Sequence, residues 1–434
     1  MLHAARIGGS RSCRPAPDPR PYGETVHYRI ISRQADRAAR WLAVALGFTI
    51  PISTAMDSIL LVLILALWLA GAEFREKLDS IQHNPVALSA LALLAMVAVG
   101  ALYGRGPLSD ALNYGGKYAD LLYLALLMPL FRDPQTRRYA LSAFVAAMVL
   151  TLVLSYLLAL RLLPPDSWIW GSPSDAAIFR DHITQNILMA YFAFACVTKA
   201  RAEPTLGMRV LWGILVVLAI YDVLFLVQGR SGYLALGVLV LYFAYDWGRW
   251  RGLAASSAAV LLLGGAGYVA SPTLHDRLNG VIRHVIGWRH GHDLHTSIGL
   301  RMSYVPNSLA IIRAHPFFGV GTGGFRQAYA RQIRGTNSPM THNPHNQYLL
   351  IAIEMGVIGL ILLLNLFYTQ WRTARALAPV ERRLARALVL TFATGSLVNS
   401  LLIDDTERLF YIWLSALLYA GWKTLSHPSR SEAA

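Results

Sequence analysis

The sequence predicts an all-α, polytopic membrane protein with about 12 transmembrane helices and one large outer loop that contains short helices. Hydrophobic residues make up 55% of the 434 residues, and charged residues make up only 15%. Many apolar runs reach the length of about 20 residues that a helix needs to cross a bilayer. Basic residues gather in short loops between these runs, which is typical of the cytoplasmic side of membrane proteins.

The chain divides into tails, spans and one long loop. Residues 1–40 are rich in arginine and proline and lack a continuous apolar run, so they indicate a basic, disordered cytoplasmic tail rather than a signal peptide. Residues 41–270 carry nine spans, residues 271–345 form the large loop, residues 346–424 carry three more spans, and residues 425–434 are a cytoplasmic C-terminal tail. The predicted spans are 41–55, 57–73, 85–103, 118–132, 139–163, 182–198, 207–227, 232–248, 252–270, 346–368, 384–402 and 408–424.

Two features of this layout bear on the ends of the helices. Pro51 and Asp57 interrupt the first apolar block, which therefore forms either a helical hairpin or one broken span. Loops rich in Arg and Lys alternate with loops that carry few charges, so both termini are expected in the cytoplasm and residues 271–345 outside. A structureless loop of this length is improbable, and we expect short helices at Arg301–Ala314 and Phe325–Ile333.

The formal charge of +15 raises the question of nucleic-acid binding. The positive charges lie in short loops between apolar runs, where the positive-inside rule explains them, so we predict no nucleic-acid partner. The two cysteines, Cys13 and Cys196, indicate neither a disulfide framework nor a metal site. No cofactor is predicted.

The segment Thr341-His342-Asn343-Pro344-His345-Asn346 leads directly into an apolar helix. A helix N-terminus there presents N–H donors and a positive dipole, and a neutral imidazole accepts a proton near neutral pH. His345 is therefore a candidate catalytic base, with His342, Asn343 and Asn346 as supporting residues. The alternative is that the two histidines cap the helix or lie in the headgroup layer.

Three arginines lie at predicted outer membrane faces, namely Arg180, Arg230 and Arg301. The guanidinium fork suits bidentate recognition of phosphate, so each is a candidate for binding an anionic substrate. Each also suits an interfacial anchor or a partner for a nearby acid. The last outer loop holds Asp404, Asp405, Glu407 and Arg408, which either orient a histidine, bind sugar or pair with one another. The ion-pair interpretation is favoured, and Asp405 is kept as a supporting residue.

Two motifs resemble known sites but lack the context that those sites need. Gly319–Gly324 has the spacing G-x-G-x-x-G, yet no strand precedes it, so it fails the requirement of a dinucleotide site. The tract with His284, His290, His292 and His295 lacks an i, i+4 pair with an acidic base. We therefore predict no metal site.

The combination of motifs resembles the O-antigen ligase family, within a superfamily that includes O-antigen polymerases and protein O-oligosaccharyltransferases. The resemblance rests on Gly229-Arg230-Ser231, on Arg301 followed by Pro316-Phe317-Phe318-Gly319-Val320-Gly321, and on His345-Asn346 followed by Gly356-Val357-Ile358-Gly359. That register selects His345 over His342.

The resemblance implies an inverting, metal-independent glycosyltransferase in the bacterial inner membrane. It implies undecaprenyl-diphosphate-linked O-antigen as donor, a sugar hydroxyl of lipid A–core as acceptor, and contact with membrane lipids. His345 would be the base, and Arg230, Arg301 and Arg180 would bind the diphosphate at the periplasmic face. The alternatives are a polymerase or a protein O-oligosaccharyltransferase of the same superfamily. A transporter is disfavoured because no repeated halves or paired broken spans are evident.

Overall fold

A computed structural model describes residues 22–104, 106–164, 168–270, 279, 280, 286 and 297–422. Helices dominate this part of the chain. The β structure in these described residues is a single isolated bridge between Ser172 and Asp175. The helices are α1 Tyr22–Thr49, α2 Thr54–Ala70, α3 Phe74–Gln82, α4 Pro85–Tyr103, α5 Leu108–Ala119, α6 Leu121–Leu127, α7 Pro134–Ala159, α8 His182–Ala202, α9 Leu206–Tyr221, α10 Arg230–Ala270, α11 Ser297–Ala314, α12 Phe325–Gln332, α13 Gln347–Thr373, α14 Pro379–Gly395 and α15 Asp405–Tyr419. The all-helical prediction is confirmed for the described residues.

Polar side chains start several of these helices at the places that the sequence marks. Asn84 and Asp133 each accept hydrogen bonds from two backbone N–H groups of the first turn, and a proline follows each of them. Asp181 caps α8 in the same way, and Asn346 accepts from Leu349 N at 3.0 Å at the start of α13. These caps satisfy N–H groups that have no partner inside the helix.

Two helices form the centre of the molecule. Every side chain of residues 406–419 in α15 is buried, and so is every side chain of residues 184–196 in α8. The outer helices have the reverse pattern, because large apolar side chains such as Val62 on α2 and Val217 on α9 are 64% and 66% exposed. An apolar outer surface of this kind suits contact with lipid.

Four described helices are long and apolar enough to cross a membrane: Pro85–Tyr103, Pro134–Ala159, Leu206–Leu226 and Gln347–Ala376. The pair α2 and α3 passes the same test as a unit but is bent by 117°. The structure therefore supports four or five spans by length and composition. Helices occupy all twelve predicted positions, but twelve crossings stay a prediction.

The predicted spans 232–248 and 252–270 both lie in α10, which bends back on itself between them. Arg230–Ala270 is continuous except at Arg249, which has a left-handed φ of 52° and a ψ of −137°. The two arms fold back so closely that a Cβ on Gly252 would overlap the carbonyl oxygen of Ala244. A glycine at position 252 makes this tight reversal possible.

The N-terminal tail differs from its prediction. It was expected to be disordered over residues 1–40, but α1 begins at Tyr22, and residues 1–21 lie outside the described part. Ala39 is fully buried, and the carboxylate of Asp36 lies 2.6 Å from Lys77 Nζ and accepts from Ala72 N at 2.9 Å. These long-range contacts stabilise a helical extension that composition alone did not indicate.

The long segment after α10 contains the two helices that the sequence predicts. The expected helix at Arg301–Ala314 is α11, which starts at Ser297, and the expected helix at Phe325–Ile333 is α12, which ends at Gln332. The histidine-rich tract lies outside the described residues.

Candidate functional site

His345 occupies an unusual backbone position immediately before α13. Its φ is +51°, in the left-handed region that a residue with a side chain seldom adopts. The side chain of Asn343 holds it there, because Oδ1 accepts from His345 N at 2.9 Å. The same oxygen accepts from Ser400 Oγ at 2.7 Å. Asn343 therefore ties the histidine to the turn that follows α14.

An aromatic stack links His345 to the helices of the long loop. The Tyr304 ring on α11 lies 6.2 Å from the imidazole centroid, with 22° between the planes. Tyr304 is buried and makes an edge contact with Tyr329 on α12. No sequence motif marks Tyr304, since an aromatic residue on a helix more often belongs to a hydrophobic core.

Arg301 lies one helical turn before Tyr304, so α11 presents both side chains on one face. Burial lowers the pKa of His345 below its usual value, and the charge of Arg301 lowers it further. The imidazole is therefore neutral at neutral pH, which is the form that accepts a proton.

Arg230 belongs to the same electrostatic group. Burial lowers the pKa of the Arg301 guanidinium, and the charge of Arg230 is the next cause. Two arginines whose charges repel each other make this region positive. An anion between them would relieve that repulsion.

Asn186 on α8 holds the turn that carries Arg230 in place. The Asn186 side-chain amide donates to the carbonyl oxygens of Val227 at 3.1 Å and Gly229 at 3.0 Å. A Cβ on Gly229 would overlap the His182 carbonyl oxygen, so glycine is required for this close approach. Asn186 is fully buried, and the sequence offered no signal for its role beyond a polar residue in an apolar run.

One turn, residues 396–404, contacts both parts of the site. Asn399 Nδ2 lies 3.5 Å from the hydroxyl of Ser231, the residue after Arg230. Its neighbour Ser400 donates to Asn343, which holds His345. The structure thus brings Arg230, Arg301 and His345 into one region from three distant parts of the chain.

Arg180 has different neighbours. Its guanidinium lies 3.6 Å from Asp57 Oδ2, and Nη2 donates to the Ile50 carbonyl at 3.1 Å. Burial lowers its pKa, whereas the charge of Asp57 opposes that change. The structure does not join Arg180 to the Arg230–Arg301 pair, and a role for it in phosphate binding stays a prediction.

The supporting residues fall into two groups. Asn343 and Asn346 shape the backbone around His345, and Asn346 also donates to the Leu397 carbonyl at 2.9 Å. His342 is exposed, and its carbonyl accepts from Tyr114 Oη at 2.5 Å. Asp405 is exposed and lies 3.2 Å from Arg408 Nη2, which agrees with the ion-pair interpretation of that loop.

The glycine-rich segment packs against a break in α13. Val320 N donates to the Ile353 carbonyl at 2.8 Å, and Gly321 N donates to the Glu354 carbonyl at 2.9 Å. The buried carboxylate of Glu354 accepts from Gly323 N at 3.1 Å. These backbone N–H groups are hydrogen-bonded within the protein, so the segment attaches the long loop to α13.

The arrangement can support proton removal beside an anion. His345 is half-buried and neutral, Arg301 supplies positive charge to it, and Arg230 adds positive charge beside Arg301. Within the described ranges, no group of three or more His, Cys, Asp and Glu side chains is placed to hold a metal ion. The chemistry available from these side chains is general-base catalysis with electrostatic stabilisation of a leaving anion.

Comparison with known proteins gives two findings. Residues 213–364 match a family model described as O-antigen ligase, and this segment contains Arg230, Arg301 and His345 but not Arg180. An uncharacterised protein of Haemophilus influenzae is 26% identical over 148 residues, which is 32% of this chain and 37% of that relative. The match therefore spans well under half the length of that relative.

Proposed function

We propose that this chain, whose residues 213–364 match a family model described as O-antigen ligase, transfers O-antigen glycan from undecaprenyl diphosphate to lipid A–core. The acceptor is a sugar hydroxyl, and transfer is inverting, metal-independent and periplasmic, at the inner membrane. The observation that carries the proposal is the grouping of a neutral His345 with Arg301 and Arg230. A base beside a paired positive charge suits a reaction that deprotonates a hydroxyl and releases a diphosphate.

The proposed reaction is a single displacement. His345 accepts the proton of the acceptor hydroxyl as that oxygen forms a bond to the anomeric carbon. The bond from this carbon to the diphosphate oxygen breaks, and the diphosphate leaves with the electron pair. Arg230 and Arg301 stabilise the negative charge that develops on it. One displacement inverts the configuration of the anomeric carbon.

The deciding experiment uses purified protein, lipid-linked O-antigen and rough lipopolysaccharide. We expect His345→Ala to abolish glycan transfer while donor binding remains measurable. The matched control is His342→Ala, since His342 is exposed three residues earlier, and we expect it to retain most activity. Substantial turnover by His345→Ala would remove His345 as the base.

The acceptor distinguishes the ligase from its relatives. Polymerases and protein O-oligosaccharyltransferases would use the same donor-side residues with a different acceptor. Disruption of the gene should abolish long-chain lipopolysaccharide while lipid-linked polymer accumulates. Accumulation of a single repeat unit would indicate a polymerase instead.

The proposed role of Arg230 and Arg301 is tested by substituting each of them. Loss of one well-placed charge donor costs about 10²–10³ in rate, so Arg230→Ala and Arg301→Ala should each reduce turnover by that order. Both should also weaken binding of the lipid-linked donor, measured by titration with the purified protein. Unchanged donor affinity in both variants would contradict the diphosphate assignment.

A further inference from the structure

A second group of arginines lies at the far ends of the helices that carry the candidate site. Arg230 begins α10, and Asn186 lies in the first turns of α8. Arg201 lies in the last turn of α8, Asp246 lies about four turns along α10, and α14 begins beside them. This group is therefore separated from His345 by most of the length of α8.

Three helices meet at one carboxylate. Asp246 Oδ2 on α10 lies 3.3 Å from Arg201 Nη1 on α8 and 2.7 Å from Arg383 Nε on α14. The side chains of these three residues are each about one-quarter exposed. The arginine cluster, defined here as Arg201, Arg383 and Arg386, is thus a fixed, partly open surface rather than a set of free side chains.

Aromatic rings hold the guanidiniums from the other side. Arg201 Cζ lies 4.8 Å from the centroid of Trp247, and Arg386 Cζ lies 5.0 Å from the centroid of Trp371. Trp371 in turn contacts Tyr242, one turn before Asp246, at 6.2 Å between ring centroids. Guanidiniums held by ring faces lose little side-chain entropy when they bind a further group.

The charge of the cluster is not balanced by the described residues. Among the described residues, Asp246 is the carboxylate that pairs with this cluster of three guanidiniums, and it contacts two of them, Arg201 and Arg383. In the described part of the chain, nearby Glu203 forms no ion pair with the three arginines and accepts from Thr205 instead, and Glu381 pairs with Arg137 at 3.2 Å. In the same part of the chain, the buried Nε of Arg386 finds no hydrogen-bond acceptor.

The helix dipole adds to this excess. Arg383 lies in the first turn and a half of α14, where the helix dipole already contributes positive potential. Acidic residues are the favourable choice at that position, and Asp246, which Arg383 shares with Arg201, offsets only part of the positive potential. Trp247, whose ring faces Arg201, is 67% exposed, and Trp250, three residues later on the chain, is 72% exposed, as indole rings are at a membrane interface.

We propose that the arginine cluster binds the phosphodiester headgroup of an anionic phospholipid. The uncompensated guanidiniums recognise the phosphate oxygens, and the exposed tryptophans place the cluster at the depth of lipid headgroups. This site is independent of the proposed transferase activity, because it lies at the other end of α8, of α14 and of the first arm of α10.

Native mass spectrometry of the full-length, delipidated protein tests the proposal, with phosphatidylglycerol as probe and phosphatidylcholine as the zwitterionic comparison. We expect preferential binding of phosphatidylglycerol. Arg383→Gln combined with Arg386→Gln should weaken it about 30-fold, since each basic side chain near the surface contributes about a factor of five. Wild-type affinity in this double variant would overturn the proposal.

The matched control removes the same charge from the same end of the molecule. Arg372 and Arg375 are exposed at the end of α13, and Arg372→Gln combined with Arg375→Gln should leave phosphatidylglycerol binding within about twofold of wild type. An equal loss in the control would reduce the effect to general surface charge and overturn a defined site. Inorganic phosphate should not compete, and full competition at equal concentration would overturn the assignment to lipid.

A third variant keeps the test decisive if the double variant does not fold. Asp246→Asn removes the carboxylate that competes with the headgroup, so we expect tighter binding of phosphatidylglycerol. A folding defect would weaken binding instead, so the two explanations predict opposite signs. Unchanged or weaker binding by Asp246→Asn would overturn the proposal.

Discussion

His345 is held in a left-handed conformation that costs about 1–2 kcal/mol for a residue with a side chain. Local hydrogen bonds offset this cost. Asn343 Oδ1 accepts from His345 N, and Asn346 caps the helix that follows at once. Non-glycine residues in this region cluster at functional sites, where the surrounding structure fixes them. The imidazole therefore leaves the chain in a set direction, toward Tyr304.

At the residue scale, Asn343→Ala tests this positioning. The substitution removes the acceptor of both His345 N and Ser400 Oγ, so we expect turnover to fall at least tenfold while donor affinity changes little. The comparison is Asn337→Ala, an exposed asparagine of the same loop, which should retain wild-type turnover. A normal rate in Asn343→Ala would mean that the backbone does not need this support.

The pH dependence of transfer is a second residue-scale prediction. In the proposed mechanism His345 acts as a base when it is neutral, and its pKa is lowered by burial and then by Arg301, so activity should fall only below the usual histidine pKa of about 6.5. Arg301→Gln removes the second cause, which raises the pKa and moves the acidic limb to higher pH. Arg313→Gln, an exposed charge loss on the same helix, should leave the limb in place. Initial rates between pH 4.5 and 8 measure both, and an unmoved limb in Arg301→Gln contradicts the coupling.

At the element scale, α13 is two helices joined at Gly356. Its φ is +63°, and a Cβ there would overlap the carbonyl oxygen of Phe317. The N–H of Val357, just after the break, donates to the Pro316 carbonyl at 2.8 Å. The glycine-rich segment therefore packs into the break, where a continuous helix would leave no room for it. The sequence identified both glycine motifs but not this contact, because it joins residues about forty positions apart.

Gly356→Ala should therefore destabilise the protein. A backbone with φ +63° and ψ −161° lies in a region that essentially only glycine adopts and costs about 1–3 kcal/mol for alanine, and the overlap with Phe317 adds to it. The matched substitution is Gly213→Ala in α9, where an added Cβ meets nothing within 4 Å and improves helix propensity. Thermal unfolding in detergent should show a clearly lower midpoint for Gly356→Ala and an unchanged or higher one for Gly213→Ala. Equal midpoints would show that the break tolerates a side chain.

At the scale of the whole molecule, apolar runs predicted the helices well because each run determines its own secondary structure. The convergence of the site was not predictable, because it depends on contacts across the fold. Tyr304 meets His345, Asn399 meets Ser231, and Asn186 meets Gly229 only after α8, α11 and the 396–404 turn have packed. The helical residues before position 40 were missed for the same reason, since the buried Asp36–Lys77 pair is tertiary.

The last prediction concerns orientation. Twelve crossings would place the loop with Asn337 on the periplasmic side and the arginines after α13 in the cytoplasm, because the α13 span separates them. With Cys13 and Cys196 replaced, Asn337→Cys should react with a membrane-impermeant maleimide in right-side-out vesicles, and Arg375→Cys only in inside-out vesicles. Both positions are exposed, so accessibility within the fold does not decide the result. Labelling of both from one side would require an even number of crossings between them, and labelling of Asn337→Cys only in inside-out vesicles would remove His345 from the periplasmic face.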